Sequence, residues 1–438
     1  MNTIDKIPVS KIQRASKLVS TGAKIGVNYL KYYGDQLVSN KNEAREKLNQ
    51  NNAEDIYDSL KELKGSALKV AQMLSMDKSI MPSAYVEKFS LSQFSVPPLS
   101  PPLVLKTFRK YFGMHPNQLF DYFNPTSINA ASIGQVHLAE KDGKKLAVKI
   151  QYPGVADSIS SDLALVKPIA LSMFNIKAKD SDQYFKEVEN KLMEETDYVL
   201  ELSQSVEISE ACKHIPNLVF PEYYPQYSSE RILTMDYMYG KHLPEIDIDL
   251  YTQEERNKLG QALWDFYMYQ MHILKKVHAD PHPGNFMISK DNELIVLDFG
   301  CLKAIPEDFY TPYFKVVSAV QNSSSKEMED LMTELELIKS EDSTSEKEFF
   351  KLMFNEILEI FTEPFKSDTF DFSNPTFFER ITQLGEKYSK SSELRKLNAN
   401  RGSKHFIYMN RTFFGLYNLM VDLKANNIHI NNYLKYAD

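Results

Sequence analysis

The chain has 438 residues, of which 43% are hydrophobic, so it is long enough to bury the cores of about two or three domains. Its net charge of -8 and pI near 5.7 argue against a general nucleic-acid-binding protein, because phosphate binding requires a surplus of Lys and Arg. The two cysteines, Cys212 and Cys301, lack the spacing of metal ligands or of a disulfide framework, which indicates a reducing compartment.

Neither a membrane-spanning segment nor a targeting segment is predicted. The longest apolar run falls short of the roughly 18 to 20 residues that a transmembrane helix requires. The N-terminal stretch "MNTIDKIPVSKIQRASK" lacks the apolar core of a secretory signal and contains Asp5, so no import peptide is predicted either. We therefore expect a cytoplasmic protein that can associate with a membrane only peripherally.

Residues 1–95 are predicted to form a helical N-terminal extension, because apolar residues recur at steps of three and four. Within it, "KLVSTGAKIGVNYLKYY", from Lys17 to Tyr33, combines apolar, basic and tyrosine side chains. This composition fits a helix that lies on a membrane surface. It equally fits an amphipathic helix that packs on the rest of the protein with its lysines in water, and the sequence leaves both open.

A linker is predicted from Ser95 to Leu103, where "SVPPLSPPL" contains four prolines. Residues 105–240 form the next predicted domain, which includes a helical insertion. Two β-prone runs in this domain flank Asp142-Gly143, a pair favoured in tight turns. This pattern predicts a hairpin with Lys149 on its second strand.

Residues 241–438 are predicted to form a third, mainly helical domain with a helical C-terminal extension. The exception is a pair of short strands, "NFMIS" and "LIVLDF", on either side of the turn "KDNE".

The stretches "HADPHPGNF", which begins at His278, and "LIVLDFG", which ends at Gly300, carry three residues suited to phosphoryl transfer. That reaction needs metal ions to neutralise the phosphates, ligands for the metals, and a residue that orients the acceptor oxygen. Asp280 is predicted as the catalytic base, and Asn285 and Asp298 as the metal ligands. The order D-x-x-x-x-N, strand pair, DFG is that of protein kinases and is far more specific than DFG alone.

Two other interpretations of this stretch are open. Asp280 and Asn285 could simply cap a turn beside the neighbouring prolines and glycine, although this leaves Asp298 unexplained. His278, Asp280 and His282 could instead form a metal cluster, since imidazole and carboxylate side chains alternate there. A proline-rich loop is a poor scaffold for three converging ligands, so phosphoryl transfer is favoured.

Lys149, in "LAVKI", matches the strand lysine that binds the α and β phosphates of a nucleotide. Such a lysine needs a helix carboxylate to hold it, and "EETDYVLE" offers several. Asp197 and Glu201 are four residues apart and are therefore expected on one face of a helix. Glu201 is the predicted partner of Lys149; the alternative is an acidic face exposed to water.

These motifs resemble those of the AarF/UbiB family of atypical protein-kinase-like proteins, which includes the aarF-domain-containing kinases linked to coenzyme Q biosynthesis. The stretch "LKGSALKVAQMLSMD" is similar to the family's K-x-G-Q motif, with Lys69 and Gln72 at its ends. "INAASIGQVHLA" is similar to the alanine-rich loop that replaces the glycine-rich loop of protein kinases. Glu195 and Asp197 fit the family's E-x-D motif. The resemblance covers residues 5–300 and, more loosely, the helical C-terminal part.

The resemblance implies an α+β, bilobal protein-kinase-like fold, with a small β-containing N-lobe, a mainly helical C-lobe and a helical N-terminal extension. Ala71 replaces the glycine of K-x-G-Q, and Asn129 interrupts the alanine run. Both changes are small in volume, so the geometry is expected to survive. The family fold also implies that the helix bearing Lys69 and Gln72 lies across the place where a protein substrate would bind, which disfavours peptide phosphorylation.

The cofactors implied are ATP or ADP and Mg²⁺. The predicted catalytic residues are Asp280, Lys149, Lys69 and Gln72. Nucleotide contacts are predicted at Ala130, Ala131, Ser132, Lys149, Glu195, Asp197, Glu201, Asp236 and Met238. Asp236 and Met238 are the predicted backbone partners of the adenine. Because Ala130 and Ala131 carry Cβ atoms where glycine would let backbone amides approach phosphates, the γ-phosphate should be held differently from that in a protein kinase.

The favoured function is an ATP-binding, kinase-like enzyme that hydrolyses ATP or phosphorylates a small or lipid-like molecule, in support of isoprenoid-quinone synthesis at a membrane. Its predicted partners are ATP and membrane lipids, quinone precursors or quinone-biosynthesis enzymes, but no nucleic acid. One alternative is a phosphotransferase like those acting on choline or aminoglycosides, which also use an H-x-D-x-x-x-x-N loop. The other is a nucleotide-regulated binding module without turnover.

Overall fold

The computed structural model describes residues 11–35, 41–63, 84–85, 88, 98–130, 133–174, 178–319, 325–389 and 401–436. Two compact units make up the chain. The first comprises residues up to Ser203 together with Glu222–Tyr237, and the second comprises Gln204–Pro221 and Met238–Asp438. The domain boundaries predicted from the sequence, 1–95, 105–240 and 241–438, stay predictions.

Helices and short strands alternate along the chain, which confirms the predicted α+β class. The helices are α1 (Lys11–Asp35), α2 (Lys41–Leu63), α3 (Pro101–Phe112), α4 (Pro116–Leu119), α5 (Val155–Phe174), α6 (Ala178–Glu195), α7 (Tyr198–Cys212), α8 (Gln253–Tyr269), α9 (Glu307–Ala319), α10 (Ser325–Glu334), α11 (Thr344–Phe361), α12 (Pro375–Ser389) and α13 (Lys404–Asp422).

The strands are mostly two to five residues long. They are β1 (Tyr122–Phe123), β2 (Asn129–Ala130), β3 (Gly134–Lys141), β4 (Lys144–Gln151), β5 (Leu218–Val219), β6 (Ile232–Asp236), β7 (Lys241–His242), β8 (Lys276–His278), β9 (Phe286–Ile288), β10 (Leu294–Val296), β11 (Leu302–Ala304), β12 (Thr369–Phe370) and β13 (Ile428–His429).

The first unit contains an antiparallel sheet in the order β1-β3-β4-β6, with β2 also paired to β3. The predicted hairpin is confirmed as β3 and β4, which join through Asp142 (φ 49°) and Gly143 (φ 76°). Two consecutive residues with positive φ make the turn whose twist matches that of the strands. Because β4 lies between β3 and β6, Lys149 sits on a central strand of the sheet.

Helix α3 packs on this sheet and begins earlier than expected. Val104 and Phe108 are fully buried in the same apolar cluster as Phe123 and Leu146. The predicted end of the linker, at Leu103, is wrong, because the helix starts at Pro101. Proline is well tolerated at the first helical position, where the missing N–H would have had no partner within the helix.

Helices α1 and α2 contact each other through polar side chains. Thr21 Oγ1 donates to Ser59 Oγ over 2.6 Å, and Asn28 Nδ2 donates to Asn52 Oδ1 over 3.1 Å. Arg14, near the start of α1, forms a buried ion pair with an aspartate of α5, Asp162. A chain of buried polar contacts thus fixes the position of α1.

The second unit contains the predicted strand pair, confirmed as β9 and β10, with Leu294 opposite Ile288. These two strands form a sheet in the order β5-β10-β9-β7. Strand β8 pairs separately with β11, and Leu302 lies opposite His278; no sequence pattern predicted this pairing. This small pair positions the loop that follows β8.

Helix α8 forms the centre of the second unit. Trp264, Phe266 and Tyr267 are fully buried, and the Trp264 ring contacts those of Phe372 and Tyr417. After Tyr269 the helix continues as a π-helical turn over Gln270–Leu274. Among the described residues, no helix combines the length and the apolar character needed to cross a membrane.

Candidate active site

Lys149 and Glu201 form an ion pair in the first unit. Lys149 Nζ, on β4, donates to Glu201 Oε1, on α7, over 2.7 Å. The Glu201 side chain is only 3% exposed, and the Tyr198 ring lies 5.1 Å from the lysine ammonium. The predicted pairing of these two residues is therefore confirmed as a contact, and it fixes a cation on the central strand.

The start of α7 explains why Glu201, rather than another acidic residue, reaches Lys149. Asp197 precedes the helix, and its Oδ1 accepts a hydrogen bond from Leu200 N over 3.0 Å. The expectation that Asp197 and Glu201 share a helix face is thus wrong, because Asp197 acts as a helix cap. Glu195 is the last residue of α6 and lies on the other side of this turn.

The turn between α6 and α7 is tied to the sheet through a backbone carbonyl. Gln151 Nε2, at the end of β4, donates to Thr196 O over 3.0 Å, and Arg231 donates to the same oxygen over 2.6 Å. Gln151 lies in the sheet that carries Lys149, and Arg231 directly precedes strand β6 of that sheet. This arrangement holds the start of α7 at a fixed distance from β4.

Of the predicted loop residues, the structure describes Ala130. It lies on β2, opposite Gln135, and its backbone N donates to the Asn129 side chain over 2.8 Å. Its amide is therefore already engaged by the residue that interrupts the alanine run. Lys69, Gln72, Ala131 and Ser132 lie outside the described residues.

Asp236 and Met238, the predicted adenine partners, follow each other closely at the end of β6. Asp236 N donates to Glu222 O over 2.9 Å, and its carboxylate accepts from the Tyr224 hydroxyl over 2.8 Å. Only the carbonyl of Asp236 is therefore a candidate for an adenine contact, as an acceptor. Met238 is half-buried and begins the segment that belongs to the second unit.

In the second unit, backbone hydrogen bonds bring the three residues Asp280, Asn285 and Asp298 into one group of loops. Ala279 N donates to Cys301 O over 2.8 Å, and Leu297 N donates to Asn285 O over 3.1 Å. The loop from β8 to β9 is thus joined at both ends to the segment around Asp298. The structure brings these three predicted residues together.

Side-chain hydrogen bonds inside these loops orient oxygen atoms of a kind that suits a hard cation. Asn285 Nδ2 donates to Asp280 O over 3.0 Å, so the amide oxygen of Asn285 is the end that is left for a ligand. Asp298 Oδ1 accepts from Gly300 N over 2.8 Å, which orients the carboxylate. One carboxylate and one amide fit Mg²⁺, which usually takes one or two protein oxygens and completes its shell with phosphates and water.

The histidines of this loop have structural contacts of their own. Tyr267 OH lies 3.2 Å from His278 Nδ1, and Gly284 N donates to His282 Nδ1 over 3.0 Å. Burial raises the pKa of Tyr267 well above its usual range, and the nearby Asp280 charge adds to this, so the phenol keeps its proton. In the described part of the chain, no group of three His, Cys, Asp or Glu side chains is placed to hold a metal, which disfavours the histidine cluster.

Sequence reasoning missed Gln270, a fully buried residue of the π-helical turn. Its Oε1 accepts a hydrogen bond from His278 N over 3.0 Å, and its Nε2 donates to Phe266 O. Gln270 therefore links α8 to the start of the loop that carries Asp280. No local pattern marks it, because its role depends on a turn that bulges out of helical register.

The family model for the ABC1 atypical kinase-like domain matches residues 92–332, more than half of the chain. The chain belongs to this family. The matched ABC1 segment includes Lys149, Glu201 and the loops with Asp280, Asn285 and Asp298. The match confirms the predicted resemblance to AarF-type kinase-like proteins.

The chain is also similar to individual proteins whose names describe them as kinases, and these alignments are longer than the segment matched by the family model. The chain is 28% identical over 356 residues to the probable serine/threonine-protein kinase abkA of Dictyostelium discoideum, covering 76% of this chain and 62% of that protein. It is 28% identical over 385 residues to the mitochondrial atypical kinase COQ8 of Saccharomyces cerevisiae, covering 86% and 75%. It is 30% identical over 288 residues to a chloroplastic aarF domain-containing protein kinase of Arabidopsis thaliana, covering 64% and 40%. The chain thus spans less than two thirds of the first and third of these relatives.

A solved structure supports the fold. The Rv3197–erythromycin complex from Mycobacterium tuberculosis aligns with a TM-score of 0.61 and 24% identity, covering 91% of this chain and all of that chain. With the ABC1 match, this confirms the predicted kinase-like fold class.

Proposed function

We propose that this ABC1 protein binds ATP with Mg²⁺ and hydrolyses it, or transfers its γ-phosphoryl group to a small or lipid-like acceptor rather than to a peptide. The observation that carries the proposal is the set of loops in the second unit. There, backbone hydrogen bonds hold Asp280, Asn285 and Asp298 together, and the Asn285 amide oxygen and the Asp298 carboxylate offer the ligands that Mg²⁺ prefers.

Each of these side chains would have a separate task. Asp298 and Asn285 would hold Mg²⁺, which when bound neutralises phosphate charge. Asp280 would orient the attacking oxygen of water or of an acceptor and take up its proton. Lys149, held by Glu201, would bind the nucleotide phosphates as a point charge.

The alanine-rich loop supports the choice of a non-peptide acceptor. Ala130 carries a Cβ where a glycine would let the backbone approach a phosphate, and its amide is engaged by Asn129. The γ-phosphate would therefore be held less closely by this loop than in a protein kinase. The helix with Lys69 and Gln72, by resemblance to the AarF/UbiB family, would further restrict access of a peptide.

The exposed surface of α1 supports peripheral attachment to a membrane. Val19, Val27, Leu30 and Tyr33 are 50% to 73% exposed, and they span roughly 120° of the helix circumference at about 100° per residue. The opposite face, which is buried, carries Thr21 together with Tyr32, which packs against Ala44 and Leu48 of α2. Helix α1 therefore packs on α2 through one face, and its exposed apolar face would be free to lie on a membrane surface.

The occupant we propose for this apolar face is the surface of an anionic membrane. Lys31 lies beside the face, where it would meet lipid phosphates while the apolar side chains enter the headgroup boundary. Lys24, on the same side, lies 3.5 Å from the Asp55 carboxylate of α2. Attachment of this kind suits a role in isoprenoid-quinone synthesis, which the resemblance to COQ8-type and aarF-domain kinases suggests.

A phosphate-release assay with purified protein tests the proposed turnover. Wild type is expected to release phosphate from ATP only when Mg²⁺ is present, and Asp280→Asn to release it at least roughly 100-fold more slowly, within the usual range for loss of a general base. Asp291→Asn, in the exposed turn between β9 and β10, is the matched control and should retain full activity.

The assay also separates the proposal from its alternatives. A binding module without turnover would release no phosphate with or without anionic vesicles and phenol-like quinone precursors. A phosphotransferase of the choline or aminoglycoside type would retain its activity after removal of residues 1–95, whereas the proposed function requires this extension.

A further inference from the structure

Helix α13, which lies beyond the matched ABC1 segment, touches the loop that carries Asp280. A Cβ atom placed on Gly415 would lie 2.3 Å from Pro281 Cγ and 3.1 Å from Pro281 Cβ. Contacts this short do not occur between real side chains, so only glycine allows α13 to approach the loop this closely. Pro281 follows Asp280 directly in the chain.

The same helix makes a second contact two turns earlier. Tyr408 OH donates to Ala304 O over 2.7 Å, and Ala304 is the last residue of β11. Strand β11 pairs with β8, the strand that leads into the Asp280 loop. Seven residues separate Tyr408 from Gly415, so both lie on nearly the same helix face about 10 Å apart. Helix α13 therefore contacts the loop and the strand pair from which the loop starts.

Helix α13 cannot easily move away from these contacts. Met409, Leu416 and Tyr417 are completely buried, and the Tyr417 hydroxyl donates to Phe361 O over 2.7 Å. The start of the helix is capped by Ser403, whose side chain accepts from Phe406 N. Because interiors are close-packed, a group added at Gly415 would displace Pro281 rather than the helix.

A shift of Pro281 would also move Asn285, the proposed metal ligand, because a hydrogen bond connects Asn285 to the peptide bond of Pro281. The peptide bond of Pro281 includes Asp280 O, and this oxygen accepts hydrogen bonds from His282 N over 2.7 Å and from Asn285 Nδ2 over 3.0 Å. Moving the proline ring therefore moves the acceptor that orients the Asn285 side chain.

We propose that α13 is a positioning element for the Asp280 loop, with Gly415 and Tyr408 as its positioning residues. This inference rests on the proposed function, since it assigns to α13 the control of the Asn285 and Asp280 geometry. The C-terminal helix then sets the Mg²⁺ dependence and the rate of turnover without touching nucleotide.

Two glycine substitutions test this inference. Gly415→Ala is expected to lower the turnover number for ATP roughly 10- to 100-fold, the effect of a misplacement of about 1 Å in a reactive site, and to raise the Mg²⁺ concentration needed for half activity. Gly385→Ala is the matched control, because Gly385 lies inside helix α12 and a Cβ there meets no atom within 4 Å. Gly385→Ala removes a helix-interior glycine without a clash and should maintain or raise thermal stability, whereas Gly415→Ala also carries the cost of displacing Pro281.

A second-site change distinguishes positioning from a general defect. Pro281→Ala removes the ring atom closest to position 415, so the double variant Gly415→Ala/Pro281→Ala should recover turnover and Mg²⁺ dependence relative to Gly415→Ala. Tyr408→Phe removes only the hydroxyl and should raise the Mg²⁺ concentration needed for half activity at least about twofold. If Gly415→Ala does not fold, this variant alone tests the inference.

The inference is overturned if Gly415→Ala matches Gly385→Ala in turnover and Mg²⁺ dependence, or if Tyr408→Phe matches wild type. A wild-type protein that hydrolyses no ATP would instead reject the proposed turnover. In that case the same variants are compared by Mg²⁺-dependent ADP binding, which Gly415→Ala should weaken and Gly385→Ala should not.

Discussion

Lys149 is held on a central strand by a carboxylate that water barely reaches. Glu201 is 3% exposed and lies 2.7 Å from the lysine ammonium, whereas Glu210, on the same helix, pairs with Lys213 at a surface where both side chains are 65% exposed. Charge-assisted hydrogen bonds in buried places are worth about 1.5 to 3 kcal/mol, and exposed ion pairs less than about 1 kcal/mol. Glu201 is therefore expected to contribute more through its ion pair than Glu210 does.

Glu201→Gln should reduce ATP turnover on the order of tenfold or more, because it keeps the size of the side chain but removes the charge that holds Lys149. Steady-state phosphate release at varied ATP concentration measures the effect. Glu210→Gln is the control on the same helix and should behave as wild type. Equal turnover in the two variants would show that Glu201 has no role in positioning Lys149.

Asp265, on α8, is a buried carboxyl whose partners are the neutral side chains of Gln261 and Asn432. Burial raises the pKa of this group to about 6 from an ordinary value of 3.8. Between these two values the folded state binds a proton that the unfolded state has lost, so the stability from this proton falls as the pH rises. The loss is roughly 3 kcal/mol over the whole window from well below the ordinary value to well above the raised one, and about 2 kcal/mol of it falls between about pH 4 and about pH 6.

Asp265→Asn should therefore gain stability relative to wild type by roughly 2 kcal/mol between about pH 4 and about pH 7. A hydrogen bond lost in the variant adds an offset that does not depend on pH. Urea unfolding of both proteins across this range measures the difference between their free energies of unfolding. A difference that stays constant with pH would contradict the shifted pKa.

At this scale the sequence predicted that Asp280, Asn285 and Asp298 come together, but it did not predict the residues that support them. The spacing of these three residues follows a protein-kinase motif, which can be recognised locally. Asp197 was misplaced because the starting residue of a helix depends on capping geometry. Gln270 was missed because its contact with His278 arises only after the chain has folded.

Among the elements, α1 has an unusual distribution of side chains. Its buried face includes Thr21 and Asn28, whereas Val19 and Leu30 are each 73% exposed. Exposed apolar side chains that share one helix face mark an interaction surface. The periodicity alone could not decide which face is buried, because a membrane-surface helix and a packed helix share the same apolar repeat.

Leu30→Gln should weaken binding to vesicles that contain anionic lipid by roughly three- to tenfold, since it removes one of the main apolar side chains from this face. Co-sedimentation with vesicles measures the binding. Leu250→Gln is the control, because Leu250 is 83% exposed but lies in the second unit. If both variants bind vesicles equally, the α1 face does not contact the membrane.

Local turn chemistry predicted two of the strand pairs correctly. Asp142-Gly143 supplies two positive φ angles, and Asn292 (φ 58°) supplies the left-handed residue in the turn between β9 and β10. The β8–β11 pair could not be predicted in this way, because it joins segments separated by two other strands. Pro101 was interpreted as a helix breaker although it starts α3, since proline suits a first helical turn.

Over the whole molecule, the two units carry different parts of the proposed chemistry. Lys149 and Glu201 belong to the first, and Asp280, Asn285 and Asp298 belong to the second. The kinase-like fold class was predicted because the order of these motifs along the chain is specific. The supporting contacts of α13 were not predicted, because Gly415 lies more than 100 residues after Pro281 and no motif connects them.

The central claim is that the Asp298 carboxylate and the Asn285 amide hold Mg²⁺ for a nucleotide. Calorimetric titration of ADP into wild type and Asp298→Asn, with Mg²⁺ and with EDTA, tests it most directly. Mg²⁺ should strengthen ADP binding to wild type at least about tenfold, a gain of about 1.4 kcal/mol; Asp298→Asn should abolish this gain, and Asp291→Asn should retain it. Equal Mg²⁺-dependent binding by wild type and Asp298→Asn would show that Asp298 does not hold the metal.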